Sequence, residues 1–126
     1  MTDYEMSNAR CRKPKIAVCY RAEEHFEQII IPGCDGYYVS NYGRVFNNNC
    51  NMIAIPYITK AGYLNVKIHG VNMSVHRLEL ITFRPINNYK ELDVNHIDGN
   101  KLNNYIENLE WCTRSYNINE AFRLGL

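Results

Sequence analysis

The sequence predicts an α+β fold: a small N-terminal antiparallel β-sheet, then a strand–loop–strand–helix unit. Three observations carry this expectation. Short β-branched or alternating stretches separated by turn signals fill residues 29–68. One apolar stretch with helical spacing, residues 75–83, ends at Arg84-Pro85, because a residue before proline disfavours the helical region. Beyond residue 93, two short strands frame a long polar loop before a final capped helix. At 126 residues, 46% apolar and 21% charged, the chain fits one domain, or two small sub-modules sharing a core, without a separate regulatory domain.

Taken in order, residues 1–22 cluster Arg10, Arg12, Lys13 and Lys15 with no sustained period, which predicts a flexible basic arm. Ile29, Ile30 and Ile31 read as a strand stopped by Pro32-Gly33. Residues 37–40 alternate, Asn41-Tyr42-Gly43 supplies a turn, and residues 44–46 return, which makes a hairpin. Alternation expects one of Tyr37 and Tyr38 to be buried and the other exposed. The asparagine-rich residues 47–51 read as a loop, since asparagine side chains compete for backbone hydrogen bonds. Residues 63–68 are the cleanest period-2 stretch: Leu64, Val66 and Ile68 face the core, and Tyr63, Asn65 and Lys67 the other side. A helix over 75–83 follows, then a strand at 93–96, a loop to 107 and a strand at 108–112 with Trp111 in the core. Thr113 or Ser115 caps the last helix, which stops at Gly125.

Charge and cysteine usage narrow the function class. The net charge is only +1, but residues 36–90 hold six basic side chains against Glu79 alone, a net of +5, and the remainder is −4. The middle of the chain is therefore the candidate surface for a polyanion. The five cysteines form no CxxC pair and have no histidine at finger spacing, which disfavours a structural zinc site. An odd number of cysteines without a signal peptide fits reduced thiols in an intracellular protein that is not secreted. No apolar run approaches the roughly 18 residues that would span a bilayer.

The stretch 95–117 gathers the chemistry. His96 closes one strand and Asn117 lies in the first turn of the helix packed across the hairpin, so the two can converge. Histidine moves protons near neutral pH, and amide oxygens can complete the shell of a hard metal. A divalent ion between Asn95 and Asn117 would stabilise charge on a leaving oxygen while His96 deprotonates water. The combination points to metal-assisted phosphodiester cleavage. Asp98 is expected to shape the turn with Gly99, and His76 to pack nearby without doing chemistry.

Three stretches resemble a known family. Val75-His76-Arg77-Leu78, the run from Val94 to Lys101, and Asn108-Leu109-Glu110-Trp111 followed by Asn117 resemble the HNH endonucleases with the ββα-metal fold, in the branch found among homing endonucleases of phages and large viruses. The run from Tyr37 to Val45 resembles the nuclease-associated modular DNA-binding motif that often precedes that domain. The resemblance implies a β-rich DNA-binding motif at 23–74 and a ββα-metal (HNH) module at 75–126. It implies His96 as general base, Asn108 as the asparagine that holds the loop and orients His96, and Asn117 in the last metal position. Asn95 stands where some relatives have aspartate. It further implies Mg²⁺ or Mn²⁺ as cofactor, double-stranded DNA as substrate, and 5′-phosphate and 3′-hydroxyl products. Arg44, Lys60, Tyr63, Asn65, Lys67, Arg77, Lys101 and Arg114 are the expected DNA contacts.

One module supplies one hydrolytic centre, so nicking by a monomer is expected, with a dimer as the route to a double-strand break. The chain ends just after the last helix, so modest sequence selectivity is expected. The neutral Asn95 and Asn117 predict metal binding that is weak without DNA and stronger with it. A DNA-binding protein that keeps the scaffold without cleavage is the alternative, and the uncharged Asn95 is its support.

Overall fold

In a computed structural model, residues 23–125 are described; the expected basic arm at 1–22 lies outside the described residues. Helix α1 (Val75–Phe83) is the element on which the rest packs. Its Val75, His76, Leu78, Glu79, Leu80 and Ile81 are all buried, so it presents no solvated stripe of its own. It ends at Arg84, as the following proline requires.

Around α1 stand three antiparallel sheets. The first is four-stranded, in the order β1 (Phe26–Gln28), β2 (Tyr37–Ser40), β3 (Val45–Asn47), β4 (Met52–Ile53). The second joins β5 (Tyr57–Ile58), β6 (Leu64–Ile68) and β7 (Val71–Ser74). The third is the hairpin of β8 (Asp93–His96) and β9 (Leu109–Cys112), and α2 (Arg114–Leu124) follows it. The Thr113 hydroxyl accepts from Tyr116 N at 3.2 Å, which caps α2 as expected. No helix among the described residues is long and apolar enough to cross a membrane.

Two expectations for the first sheet need correction. The strand pairs through Phe26–Gln28 and not through residues 29–31, because β2 begins only at Tyr37 and offers no ladder to a longer partner. Ile29 N still reaches Tyr37 O at 2.9 Å, but Ile30 points to solvent, 71% exposed. Tyr37 and Tyr38 are both buried. The alternation rule assumes one wet face, and β2, interior to its sheet, has two dry ones. Tyr37 and Val39 join the cluster of Val66, Ile68, Val75 and Leu78. Tyr38 packs with Phe26 and Phe46 in a second cluster.

The turn between β2 and β3 does more than reverse the chain. Asn41 is buried, accepts from His25 N at 2.9 Å and donates to Glu23 O at 3.1 Å. Its carbonyl accepts from Ile106 N at 2.9 Å, and Tyr42 stacks on Tyr105 with centroids 5.0 Å apart. Gly43, at φ +85°, admits this approach: a Cβ there would sit 2.6 Å from the Cβ of Asn104. The N-terminal sheet thus braces the loop that connects β8 to β9.

Candidate active site

The β8–β9 register fixes what faces what. Asn95 lies opposite Glu110, and His96 opposite Leu109. Val94 anchors the hairpin on α1 in a cluster with Leu80, Ile106 and Leu109. With its strand pinned in this way, His96 is buried, 5% exposed, at the wall of a cavity of about 320 Å³. Asn95, Asn117, Tyr63 and Lys101 line the same cavity. Three residues expected to act together, His96, Asn95 and Asn117, therefore converge, and Tyr63 with Lys101 joins them. Tyr63 had been expected on an open sheet face. Its ring instead stands 5.0 Å from His76 and 5.9 Å from His96, with Lys101 Nζ 4.9 Å from its centroid.

Burial lowers the pKa of His96 below the ordinary histidine value, against the opposing effect of its hydrogen bond to Asn104. The group is therefore neutral, and able to accept a proton, across the physiological range. His76, whose ring lies 5.3 Å from that of His96, is pushed down to about 4, chiefly by burial. It packs beside the site as an uncharged ring.

The two candidate metal-binding amides are each tied to a carboxylate. Asn95 Nδ2 donates to Glu110 Oε2 at 2.7 Å, and Asn117 Nδ2 donates to Asp93 Oδ2 at 3.4 Å. Both side-chain oxygens are left without a hydrogen-bond donor among the described residues. No group of three His, Cys, Asp or Glu side chains stands together as a metal cage among those residues. A hard divalent ion takes oxygen ligands, and Mg²⁺ commonly rests on one or two protein oxygens plus water and phosphate, so this pair fits such an ion. Behind the neutral set stand two carboxyl side chains one hydrogen bond away, of which that of Asp93 also pairs with Arg114.

Asn108 sits behind the loop and not in the cavity. Its Nδ2 donates to Asp98 Oδ1 and to Asn103 O, both at 2.9 Å, and its Oδ1 accepts from Asp98 N at 3.0 Å. Asp98 also accepts from Asn103 Nδ2 and Asn100 N, both at 2.8 Å. These bonds, Asn103's first, hold its carboxyl below the usual range. Asp98 thus shapes the turn.

The other expected DNA contacts are scattered. Lys60 and Lys67 are exposed, and Asn65 is half-buried on β6. Arg44 makes a two-point ion pair with buried Glu24, at 2.8 and 3.0 Å. Arg77 donates to the carbonyls of Leu92 and Tyr89 and lies over Trp111, and Arg114 pairs with Asp93 at 3.3 Å. For these three arginines, any phosphate contact competes with a bond already made. Trp111 is half-buried, its Nε1 donating to Arg84 O at 2.8 Å.

Sequence reasoning missed Asp93, Glu110, Asn104 and Glu79. Glu110 was within reach, because an antiparallel register for the two strands puts it opposite Asn95. Asn104, whose Oδ1 lies 2.7 Å from His96 Nε2, is one of several asparagines in a polar loop, and spacing does not distinguish it.

The chain is similar to known proteins. Residues 74–118 match the HNH endonuclease family, and residues 24–69 match the NUMOD4 motif. Two uncharacterized HNH endonucleases of Acanthamoeba polyphaga mimivirus are 44% identical over 89 residues and 38% identical over 109. These alignments cover 67% and 80% of this chain but 26% and 27% of the relatives, so the chain spans about a quarter of their length. The DNA endonuclease I-HmuI of Bacillus phage SP01 is 37% identical over 101 residues, 75% of this chain and 57% of the phage protein. A solved structure described as DNA binding and cleavage by the HNH homing endonuclease I-HmuI superposes with a TM-score of 0.69 at 33% identity, covering 80% of this chain and 59% of the other. With the cavity, its histidine and both matched segments in place, the chain belongs to the HNH endonuclease family, its nuclease segment preceded by a NUMOD4 motif.

Proposed function

We propose that the chain is a divalent-metal-dependent endonuclease that hydrolyses phosphodiester bonds in double-stranded DNA, nicking as a monomer. The observation that carries this reading is the convergence of a neutral, buried His96 with Asn95 and Asn117 on one cavity. His96 takes a proton from the attacking water, and its lowered pKa keeps it unprotonated for that task. Asn95 and Asn117 present the oxygens that would hold Mg²⁺ or Mn²⁺. When bound, the ion supplies charge stabilisation at the leaving 3′ oxygen. Asn108 keeps the loop in the shape that sets His96 against the scissile phosphate. Lys101, with its ammonium over Tyr63 at the cavity wall, draws the DNA backbone toward the site, and exposed Lys60 and Lys67 extend that attraction.

DNA as the substrate is supported by I-HmuI, whose structure is described as one of DNA binding and cleavage. The test is a plasmid nicking assay with Mg²⁺ or Mn²⁺, comparing the native chain with His96→Ala. The native chain nicks, and the variant loses about two to four orders of magnitude in rate. Undiminished cleavage by the variant would overturn the mechanism. DNA binding without cleavage by either protein would favour a scaffold that only binds DNA, the reading to which the uncharged Asn95 lends support.

A further inference from the structure

Whether His96 can act as a base at a given point in space depends on which of its ring nitrogens is free of hydrogen. Its Nε2 lies 2.7 Å from Asn104 Oδ1, with both side chains buried at 5% and 4% exposure. An amide oxygen only accepts, so this contact requires the proton on Nε2 and leaves the lone pair on Nδ1. The opposite orientation of the amide, with its NH₂ toward the ring, would reverse the assignment. The tautomer is therefore decided by whatever keeps the Asn104 amide from turning over.

The side chain of Glu79 on α1 stands in the same neighbourhood. A Cβ on Gly43 would lie 2.6 Å from the Asn104 Cβ and 3.3 Å from Glu79 Oε1, so the two side chains border the same closed space. Glu79 has no exposed surface. Both of its oxygens and Asn104 Nδ2 lack a hydrogen-bond partner among the described residues. Burial pushes the carboxyl up to about 9, so at neutral pH it is an uncharged acid with a carbonyl oxygen to offer. An uncharged carboxyl both donates and accepts, so it does not by itself choose the orientation of the Asn104 amide; the 2.7 Å contact of Asn104 Oδ1 with His96 Nε2 carries the assignment.

We infer that Asn104 is a positioning residue that selects the His96 tautomer with Nδ1 as the free base. The inference rests on the reading of His96 as the base, and neither the HNH resemblance nor Asn108 supplies it.

Nitrogen-15 NMR of the histidine side chains in the free full chain at pH 7.5 reads the tautomer without cleavage, so its outcome is independent of the nicking assay. The native chain is expected to carry the His96 proton on Nε2. Asn104→Asp keeps an acceptor toward Nε2 and retains that tautomer, whereas Asn104→Leu produces a mixture. In the nicking assay Asn104→Leu lowers kcat by about tenfold or more with KM for DNA nearly unchanged. A native His96 with its proton on Nδ1 overturns the proposal even if no variant folds. So does an Asn104→Leu protein with unchanged tautomer and kcat. A cleaving His96→Ala protein would instead remove the reading of His96 as base and leave the tautomer result standing.

Discussion

Replacing Glu79 with glutamine changes little in shape and removes one titration, and its effect on stability can be worked out in advance. Burial raises the Glu79 carboxyl from 4.5 to about 9, against a weaker opposing pull from Arg84. In the unfolded chain the same group ionises near 4.5. Between these values the unfolded state releases a proton that the folded state keeps, so native stability falls as pH rises, by about 1.36 kcal/mol per pH unit. Relative to pH below 4, the loss is about 3 kcal/mol at pH 7 and approaches about 6 kcal/mol near pH 9, where the folded acid ionises as well. Glu79→Gln escapes this loss. Denaturant unfolding of both proteins at several pH values should show the variant gaining on the native chain by about 1.4 kcal/mol per unit between pH 5 and 8.5. The histidines cancel from that difference. His76, lowered from 6.5 to about 4, destabilises both proteins equally as pH falls below 6.5, because the unfolded chain then takes a proton that the folded one refuses. A difference that stays flat with pH would refute the burial argument, and with it the uncharged state invoked for Glu79.

Two further outcomes follow from the hydrogen bonds at the site. Asn95→Asp replaces the N–H that donates to Glu110 at 2.7 Å with a second carboxylate, forfeiting a charge-assisted bond of about 1.5–3 kcal/mol. Thermal unfolding in chelator should show a lower midpoint that Mg²⁺ restores, and calorimetry should show tighter Mg²⁺ binding to the free variant than the weak binding of the native chain; equal midpoints and equal affinities would count against the site. Asn108→Ala removes three bonds that close the loop on Asp98 and Asn103, and should lower stability by about 1–3 kcal/mol and the nicking rate while leaving DNA affinity near native in a gel-shift assay.

The sequence exposes those parts of the molecule whose structure is decided locally. The end of α1 at Arg84-Pro85, the strands β8 and β9 and the capped α2 follow from proline, periodicity and a threonine cap. The two-residue strands β4 and β5 do not, because a two-residue bridge exists only through its partner, whereas the strand β7 (Val71–Ser74), whose Val, Asn, Met and Ser alternate, was within reach. That both tyrosines and not one are buried was hidden for the same reason, since the second dry face of β2 is supplied by residues distant in sequence. The candidate site divides in the same way. His96, Asn95 and Asn117 stand out as side chains suited to the chemistry. Their partners Glu110, Asp93, Asn104 and Glu79 become visible only once register and packing bring them together.

That division bears on the uncharged residue at position 95. Judged by its side chain alone, Asn95 removes negative charge from the proposed metal position. In the fold, carboxyls stand one hydrogen bond behind the two amides: Glu110 behind Asn95, and Asp93, itself paired with Arg114, behind Asn117. A carboxylate at position 95 in the free protein would face Glu110 directly, and two unit charges about 4 Å apart repel by about 4 kcal/mol at the effective dielectric near a protein surface. The amide avoids that repulsion, and donation to a carboxylate polarises it so that its oxygen is a better electron donor than a free amide. The arrangement also spares an approaching phosphodiester a bare carboxylate at the cavity wall, on the side where Lys101 already favours a polyanion. A neutral ligand at position 95 is therefore compatible with catalysis, provided that the substrate phosphate completes what the two amides begin.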